Sequence, residues 1–336
     1  MPSMSKNDYQ LALKAAGAFM HESERFLVIS HVNPDGDTTS SVLACALLLE
    51  QLGKTYVIVN EGETPAKFGY LPRFSHIRNL QKDEVAERFS HVIAIDAADS
   101  KRMGNVRYLF NDDARILNID HHPTNDEFGN VNVIRTDAAA AAEIMYELAV
   151  ANDFTLNPEL AVCFYTGLLT DTGGFRYSNT SPNVLKIASE LLQYGLKPGE
   201  LAERCLEETT LEHMLLLRRS LQSLAITHRK QVASLKVTRE DLQTTGASSE
   251  DAGGFVNHCR NIEGVEVGVS FFETEAGHVK VSLRSRSRVD VAEIAKQLGG
   301  GGHARAAGCT LTVSIDEAER VVYGKLREAL GVDSDE

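Results

Sequence analysis

The stretch VISHVNPDGDTTSSVLACALLL, Val28 to Leu49, joins an apolar strand-like run to an apolar helical run through a turn that carries His31, Asn33, Asp35 and Asp37. A strand that enters a helix through a polar turn is the repeating unit of a parallel α/β sheet, and such sheets bind ligands beyond the carboxyl ends of their strands. The pattern recurs downstream. RFLVIS (25–30), TYVIVN (55–60), HVIAID (91–96), ARILNID (114–120) and VNVIR (131–135) are predicted strands. Helices are predicted over Thr38–Leu52, closed by Gly53, and from Ala138, capped by Asp137. Three of the strands end in an acid or a histidine, so those endings belong in one crevice.

Beyond about residue 155 the pattern turns helical, through NPELAVCFYTGLLTDT and then SPNVLKIASELLQYG, which opens on Ser181-Pro182. The stretch from Thr210 to about Thr227 has neither Gly nor Pro and reads as one long connector helix. QVASLKV, VEVGVSFFE, HVKVSLRS and CTLTVS then read as strands, interleaved with helices near 252–260, 290–298 and 315–330. The expected fold is therefore α/β: an N-terminal parallel sheet with helices on both faces (1–205), a helical connector (206–228) able to serve as a homodimer surface, and a smaller α+β domain (229–332). The N-terminal LALKAAGAFM reads as a surface helix, and the closing Gly331–Glu336 as disordered.

The 336 residues carry a formal net charge of -13, which argues against broad attraction to long duplex nucleic acid or to an anionic membrane. The longest apolar run, Val42–Leu49, is far short of the roughly 20 residues a membrane-spanning helix needs. Five scattered cysteines with no C-x-x-C pair point to a reducing cytoplasm rather than a disulfide framework.

The polar turn after Val28–Ile29 has company: Asp96 ends VIAIDAAD, NIDHHPTND offers Asp120, His121 and His122, and GLLTDTGGF offers Asp171. Singly, each has a plain structural explanation, Asp37 as a helix cap among them. Four carboxylates and two or three imidazoles in one crevice would repel and desolvate one another unless cations neutralised them. Asp35 and Asp37 can point at two centres, with His31 reaching the first, which describes a pair of ions. Two ions about 3.5–4 Å apart activate a water and stabilise both oxygens of a phosphoryl transfer. Mixed imidazole and carboxylate ligation suits Mn²⁺, with Mg²⁺, Co²⁺ or Zn²⁺ as alternatives.

These residues, His31-Val-Asn-Pro-Asp35-Gly-Asp37, Asp96, Asp120-His121-His122 and Thr170-Asp171-Thr172, resemble in order and separation the four motifs of the DHH phosphoesterases. The resemblance implies that His31, Asp35 and Asp96 hold one Mn²⁺, and that Asp37, Asp96, His121 and Asp171 hold the other, with Asp96 bridging. It further implies that His122 contacts the scissile phosphate and that Asp120 orients an imidazole.

QLGGGGHARAAGCT (297–310) carries four successive glycines that can turn backbone N–H groups toward an anion, and Arg284, Arg286 and Arg288 alternate in VSLRSRSRVD, one face if the strand continues. The segment Gly300–Gly308 resembles the hallmark of the DHH-associated C-terminal domain, which implies substrate binding by Arg284, Gly301, Gly302 and His303. GGFRYSNT resembles a segment of the nano-RNase branch of the family, in which Arg176 would help hold a phosphate. The implied activity is hydrolysis of short oligoribonucleotides to nucleoside 5′-monophosphates, and of 3′-phosphoadenosine-5′-phosphate to AMP. Hydrolysis of pApA or cyclic di-AMP is the close alternative, and a catalytically silent nucleotide sensor the alternative of another class.

Overall fold

A computed structural model of the protein describes residues 5–274 and 277–332, so residues 333–336 of the tail expected to be disordered lie outside the described residues. The chain divides into two compact units, Met1–Glu208 and Thr209–Glu336.

In the first unit, α1 (Lys6–Phe19) precedes β1 (Arg25–Ile29), α2 (Gly36–Gln51), β2 (Thr55–Asn60), β3 (Ile77–Asn79), β4 (Phe89–Ile95), β5 (Phe110–Asp120) and β6 (Val131–Ile134). Four helices follow, α3 (Ala141–Ala151), α4 (Pro158–Asp171), α5 (Pro182–Leu192) and α6 (Pro198–Ala202). The six strands form one sheet in the order β3-β2-β1-β4-β5-β6, every pair parallel. The order reverses between β1 and β4, and there the strand ends diverge to leave a crevice. Strands buried on both faces read as continuous apolar runs, which is why RFLVIS and HVIAID are visible in the sequence. Phe26, Val28, Ile93 and Ile95 face one core, built with α1 to α5, whereas Leu27, Ile29, Val92 and Ala94 face the other. Among the described residues, the cover on that second face is the 3₁₀ helix Gly104–Leu109 and its flanking loops. The N-terminal helix α1 is amphipathic and buries Tyr9, Leu13, Ala16 and Phe19 in the first core.

The second unit holds α7 (Leu211–Ser220), β7 (Ala225–Thr227), β8 (Val232–Val237), α8 (Arg239–Thr245), α9 (Phe255–Asn261), β9 (Val267–Glu273), β10 (Val279–Ser285), α10 (Val291–Gln297), β11 (Gly301–His303), β12 (Ala306–Leu311) and α11 (Ile315–Leu330). Its mixed sheet runs β11-β12-β10-β9-β8-β7, antiparallel except for β8 with β9. Helices α10 and α11 cover one face, and α7 and α9 pack on the other.

Three expectations change here. The long connector helix is half its expected length: α7 ends at Ser220, a 3₁₀ turn covers Leu221–Ser223, and β7 takes Ala225–Thr227. Ser220 donates its hydroxyl to the Lys236 carbonyl, and Ser223 accepts from the Lys236 N–H at 2.8 Å, so two serines tie the chain to β8 and lead Ile226 into a ladder with Ala233. The expected CTLTVS strand starts three residues earlier, at Ala306, because β12 is fixed by pairing with β10 rather than by its own apolar pattern. The arginine stripe is broken after Arg284. Glu266 accepts the backbone N–H groups of Ser287, Arg288 and Val289, which bends the chain out of the sheet at Ser285. Arg286 donates instead to the carbonyls of Arg260, Asn261 and Ile262 at the end of α9, and Arg288 to Gln231.

Candidate metal centre

The crevice at the strand-order reversal receives His31, two residues past β1, and Asp96, directly past β4. Asp120 is the last residue of β5, with His121 and His122 beyond it, and Asp171 is the last of α4. Asp96 adopts φ 58°, a left-handed conformation that Asp tolerates better than most residues, and its backbone N–H donates to the Ile119 carbonyl at 2.9 Å. That turn aims the carboxylate across the crevice instead of along the strand.

The two acids of the Asp35-Gly-Asp37 turn do different work. Asp35 is the N-cap of α2 and accepts the Thr38 N–H at 3.0 Å. Asp37 is fully buried and caps a different helix: its two oxygens accept the N–H groups of Ala141 and Ala142, at 2.6 and 2.9 Å. The N-cap position of α3 is Ala140, with no side-chain cap of its own, so the cap expected from Asp137 comes from Asp37. Gly167 makes that approach possible, since a Cβ there would lie 2.4 Å from the Ala142 Cβ and 2.7 Å from Asp37 Oδ1.

Three groups of ligand atoms converge, each within 4.8 Å of one another: His31, Asp35 and Asp96; Asp37, His121 and Asp171; and Asp96, His121 and His122. Asp96 joins the first and third. Its Oδ2 lies 3.5 Å from His31 Nε2, whereas its Oδ1 lies 3.5 Å from His121 Nε2 and 3.4 Å from His122 Nδ1. Oδ1 is buried with no hydrogen-bond partner, a state that is expensive for a carboxylate oxygen unless a cation faces it. The oxygen and imidazole donor set suits a divalent ion, and the residues fit such a group.

The charges agree. Burial pushes Asp37 up to about 7, reinforced by Asp96 and opposed by His121. Burial and the neighbouring Asp37 and Asp35 hold Asp171 well above the usual carboxylate range. Asp96 lies well below it, because His121 and His31 outweigh its burial. His121, in turn, resists the effect of burial through Asp96, Asp171 and Asp37 and is held well above the ordinary imidazole value. Two acids shifted toward their protonated forms by burial and by neighbouring carboxylates, and an imidazole shifted the same way by carboxylates against its burial, are what dications at these positions would relieve.

His122 is oriented from behind. Its Nδ1 lies 2.7 Å from Asp120 Oδ1, and Asn125 donates to Asp120 Oδ2 at 2.6 Å. This leaves Nε2 as the ring nitrogen turned away from Asp120. Asn125 and Thr38 are the site residues that motif reading passes over. Asn125 stands three residues past His122, and Thr38 directly follows Asp37 with its hydroxyl 2.8 Å from His31 Nε2.

The predicted substrate residues fall in two places. Arg176 is exposed beyond α4 and donates Nε–H to the Gly173 carbonyl, in a left-handed turn with Gly173, Gly174 and Phe175 at positive φ. In the second unit the glycine run is a β-hairpin edge, not a loop: Gly301–His303 form β11 and pair with Ala306–Gly308. Gly302, at φ 141°, is the position where a Cβ would meet the Ala306 carbonyl at 2.5 Å. Arg284 and His303 both pair with Ala306, one from each side, so the three form a row on one face of the sheet, opposite the face of α10 and α11. The row gathers Arg284 and His303, 19 residues apart, where the sequence alone shows only two separate motifs.

Residues 25–168 match the family model for the DHH family, N-terminal domain, and residues 230–328 match that for the DHHA1 domain. The bifunctional oligoribonuclease and PAP phosphatase NrnA of Thermus thermophilus is 36% identical over 307 residues, 90% of this chain and 89% of that protein. The chain belongs to the DHH family. A second DHH relative, the protein of the same name from Bacillus subtilis, is 30% identical over 295 residues, 87% of this chain and 90% of its own. The fold is shared with the crystal structure of an exopolyphosphatase-related protein from Bacteroides fragilis, at TM-score 0.88 and 23% identity, covering 95% of this chain and 96% of that one. Of the four DHH motifs, the first three lie inside the matched N-terminal segment and Asp171 lies three residues past it.

Proposed function

We propose that this DHH-family phosphoester hydrolase cleaves short oligoribonucleotides to nucleoside 5′-monophosphates and 3′-phosphoadenosine-5′-phosphate to AMP, using two divalent cations, Mn²⁺ foremost, held by His31, Asp35, Asp37, Asp96, His121 and Asp171. The observation that carries the reading is Asp96, a buried carboxylate at the strand-order reversal whose two oxygens face two separate groups of ligands. The names of the Thermus thermophilus and Bacillus subtilis relatives support the substrate class.

Two dications, when bound, activate a water and offset the charge on the attacking and leaving oxygens of a phosphate. The chain's own residues then have separable tasks. Asp96 would offer one oxygen toward the His31 side and the other toward His121. Asp37, tied to two backbone N–H groups of α3, is a rigid carboxylate that fixes the second position relative to α2. Asp120 orients His122 so that Nε2 meets a phosphate oxygen, where it offsets developing charge. In the N-terminal unit Arg176 binds phosphate, and in the C-terminal unit Arg284, Gly301, Gly302 and His303 bind substrate, an arginine being able to grip a phosphate bidentately. The protein's five cysteines are buried and unpaired, which supports a reducing compartment, the cytoplasm.

The test is release of mononucleotides from RNAs of two to ten nucleotides, with pApA, cyclic di-AMP and 3′-phosphoadenosine-5′-phosphate assayed beside them in Mn²⁺ and in EDTA. Short RNAs and 3′-phosphoadenosine-5′-phosphate are expected to turn over in Mn²⁺ alone. Asp96→Asn, which tolerates the same backbone conformation, should fall to background while keeping its fold. Retained turnover in that variant would remove the bridging role, and faster cleavage of pApA or cyclic di-AMP would shift the substrate class.

A further inference from the structure

We propose that Thr38 is a positioning residue whose hydroxyl stands among the three ligands of the first cation, tying His31 to Asp96 beside Asp35 in the metal-free chain and turning away when the cation enters. This rests on the metal reading of the pocket given above. The Thr38 Oγ lies 2.8 Å from His31 Nε2, 3.0 Å from Asp35 Oδ1 and 2.5 Å from Asp96 Oδ2. Those are the three residues of the first ligand group, and this one hydroxyl lies within hydrogen-bonding distance of all of them. The residue is fully buried, so no solvent competes for the position.

The hydrogen bonds form a directed chain. The Asn33 N–H donates to His31 Nδ1 at 3.2 Å, which assigns the ring hydrogen to Nε2. Nε2–H then donates to the Thr38 oxygen, and the Thr38 hydroxyl donates its single hydrogen to Asp96, its shortest contact. A hydroxyl has one hydrogen to give, and two carboxylates border it. The Asp35 oxygen at 3.0 Å therefore faces a lone pair of the same hydroxyl, and is compensated by the Thr38 backbone N–H. The hydroxyl is a partial substitute for a cation, which would attract all three ligands at once.

The means of exit lies in the helix. Thr38 sits in the first turn of α2, and a helical threonine has two accessible χ1 wells, one of which turns its hydroxyl back toward the carbonyl three or four residues earlier. The hydroxyl's exit is assigned to that rotation, with the α2 backbone in place. Cation entry also moves the His31 ring hydrogen from Nε2 to Nδ1, at the cost of the Asn33 N–H bond, so affinity at the first position is the cation's attraction for His31, Asp35 and Asp96 less that cost and less what the hydroxyl already gave them. Removing the hydroxyl should tighten binding there, because the emptied pocket is left with uncompensated carboxylates.

The experiment strips the full chain with EDTA and titrates it with Mn²⁺ alone, following the electron paramagnetic resonance signal of free Mn²⁺ for stoichiometry and affinity. Thermal melts are run with and without the ion. Wild type should bind two Mn²⁺. Thr38→Val, which keeps the shape, should bind two with one tightened by about tenfold or more. Its metal-free melting temperature should fall while its Mn²⁺-saturated one stays at the wild-type value. Thr38→Ser, which restores the hydroxyl, should bring the affinity back to wild type. If the valine variant does not fold, Thr38→Ala carries the same expectation. Weaker binding or loss of one ion in the hydroxyl-free variants would make Thr38 a support of the loaded site, and unchanged binding would make it a bystander; either result overturns the proposal with the metal reading intact. A wild-type chain that binds no Mn²⁺ sensitive to Asp96→Asn would overturn both.

Discussion

Asp120 is fully buried, yet it carries the orientation of His122, and Asn125 makes that arrangement sustainable. The Asn125 carboxamide donates to Asp120 Oδ2 at 2.6 Å and to the Ala97 carbonyl at 3.1 Å. Its oxygen accepts from the Asn118 carboxamide at 3.1 Å and the Glu127 N–H at 2.7 Å. Every polar group of the Asn125 side chain is thus engaged, and the side chain ties the loops after β4 and β5 together behind the imidazole. Partners at this remove from the reacting atoms are commonly worth 10–100-fold in activity. Asn125→Ala is expected to lower kcat on a dinucleotide RNA by about that factor. The number of Mn²⁺ bound should stay the same, because Asn125 touches none of the proposed cation ligands. A parallel measurement of kcat and metal stoichiometry checks it, and an unchanged kcat would show that Asp120 orients His122 without Asn125.

At the scale of elements, the site depends on how closely α2, α3 and α4 approach. Gly167 lies inside α4 where a Cβ would overlap Ala142 of α3 and crowd Asp37 and Ser40 of α2. Gly167→Ala is expected to destabilise the N-terminal unit by about 1–3 kcal/mol, the usual range for overpacking a close helix contact. Gly324, within α11, has nothing within 4 Å of a would-be Cβ. Gly324→Ala should therefore stabilise by up to about 1 kcal/mol through helix propensity alone. Thermal or urea unfolding of both variants separates close packing from propensity, and equal shifts would contradict the contact.

The same contrast explains what the sequence discloses. The cores of β1, β2 and β4 are readable because both faces are buried and their residues are continuously apolar, and the proposed cation ligands are readable because strand ends and helix ends place them. Ile77–Asn79 is only three residues long, and its strand state comes from pairing with β2. Ile226 is a strand residue only because two serines tie its neighbours to β8. The capping of α3 by Asp37, 104 residues before Ala141, and the alignment of Arg284 with His303 through Ala306 are likewise products of tertiary contact. Local pattern carries no record of them.

For the whole molecule, a formal charge of -13 and a buried acidic crevice make the metal-free protein sensitive to pH. Asp37 has its folded pKa raised to about 7, chiefly by burial, so the unfolded chain ionises it first and folding is penalised progressively from about pH 4 up to 7. Asp171 is raised in the same direction. His121 is held above the ordinary imidazole value, against its burial, by Asp96, Asp171 and Asp37; its contribution is fully present below about pH 6.5 and is lost as pH rises through the higher folded value. Asp96 shifts the opposite way, and its stabilising contribution is already complete above the ordinary carboxylate range. The EDTA-treated protein should therefore lose stability as pH rises from about 6 to 7, where the penalty from Asp37 is still growing and the contribution of His121 begins to be lost. One titrating group is worth at most about 1.4 kcal/mol per pH unit, or roughly 3–6 °C in melting temperature for a domain of this size. Dications that replace the protons should remove this slope, and their affinity should rise over the same interval because proton release accompanies binding. Melting curves at each pH in EDTA and in saturating Mn²⁺ measure both effects. Parallel slopes in the two series would mean that the crevice keeps its protons when Mn²⁺ is present, and that the six ligands do not take up the ions together.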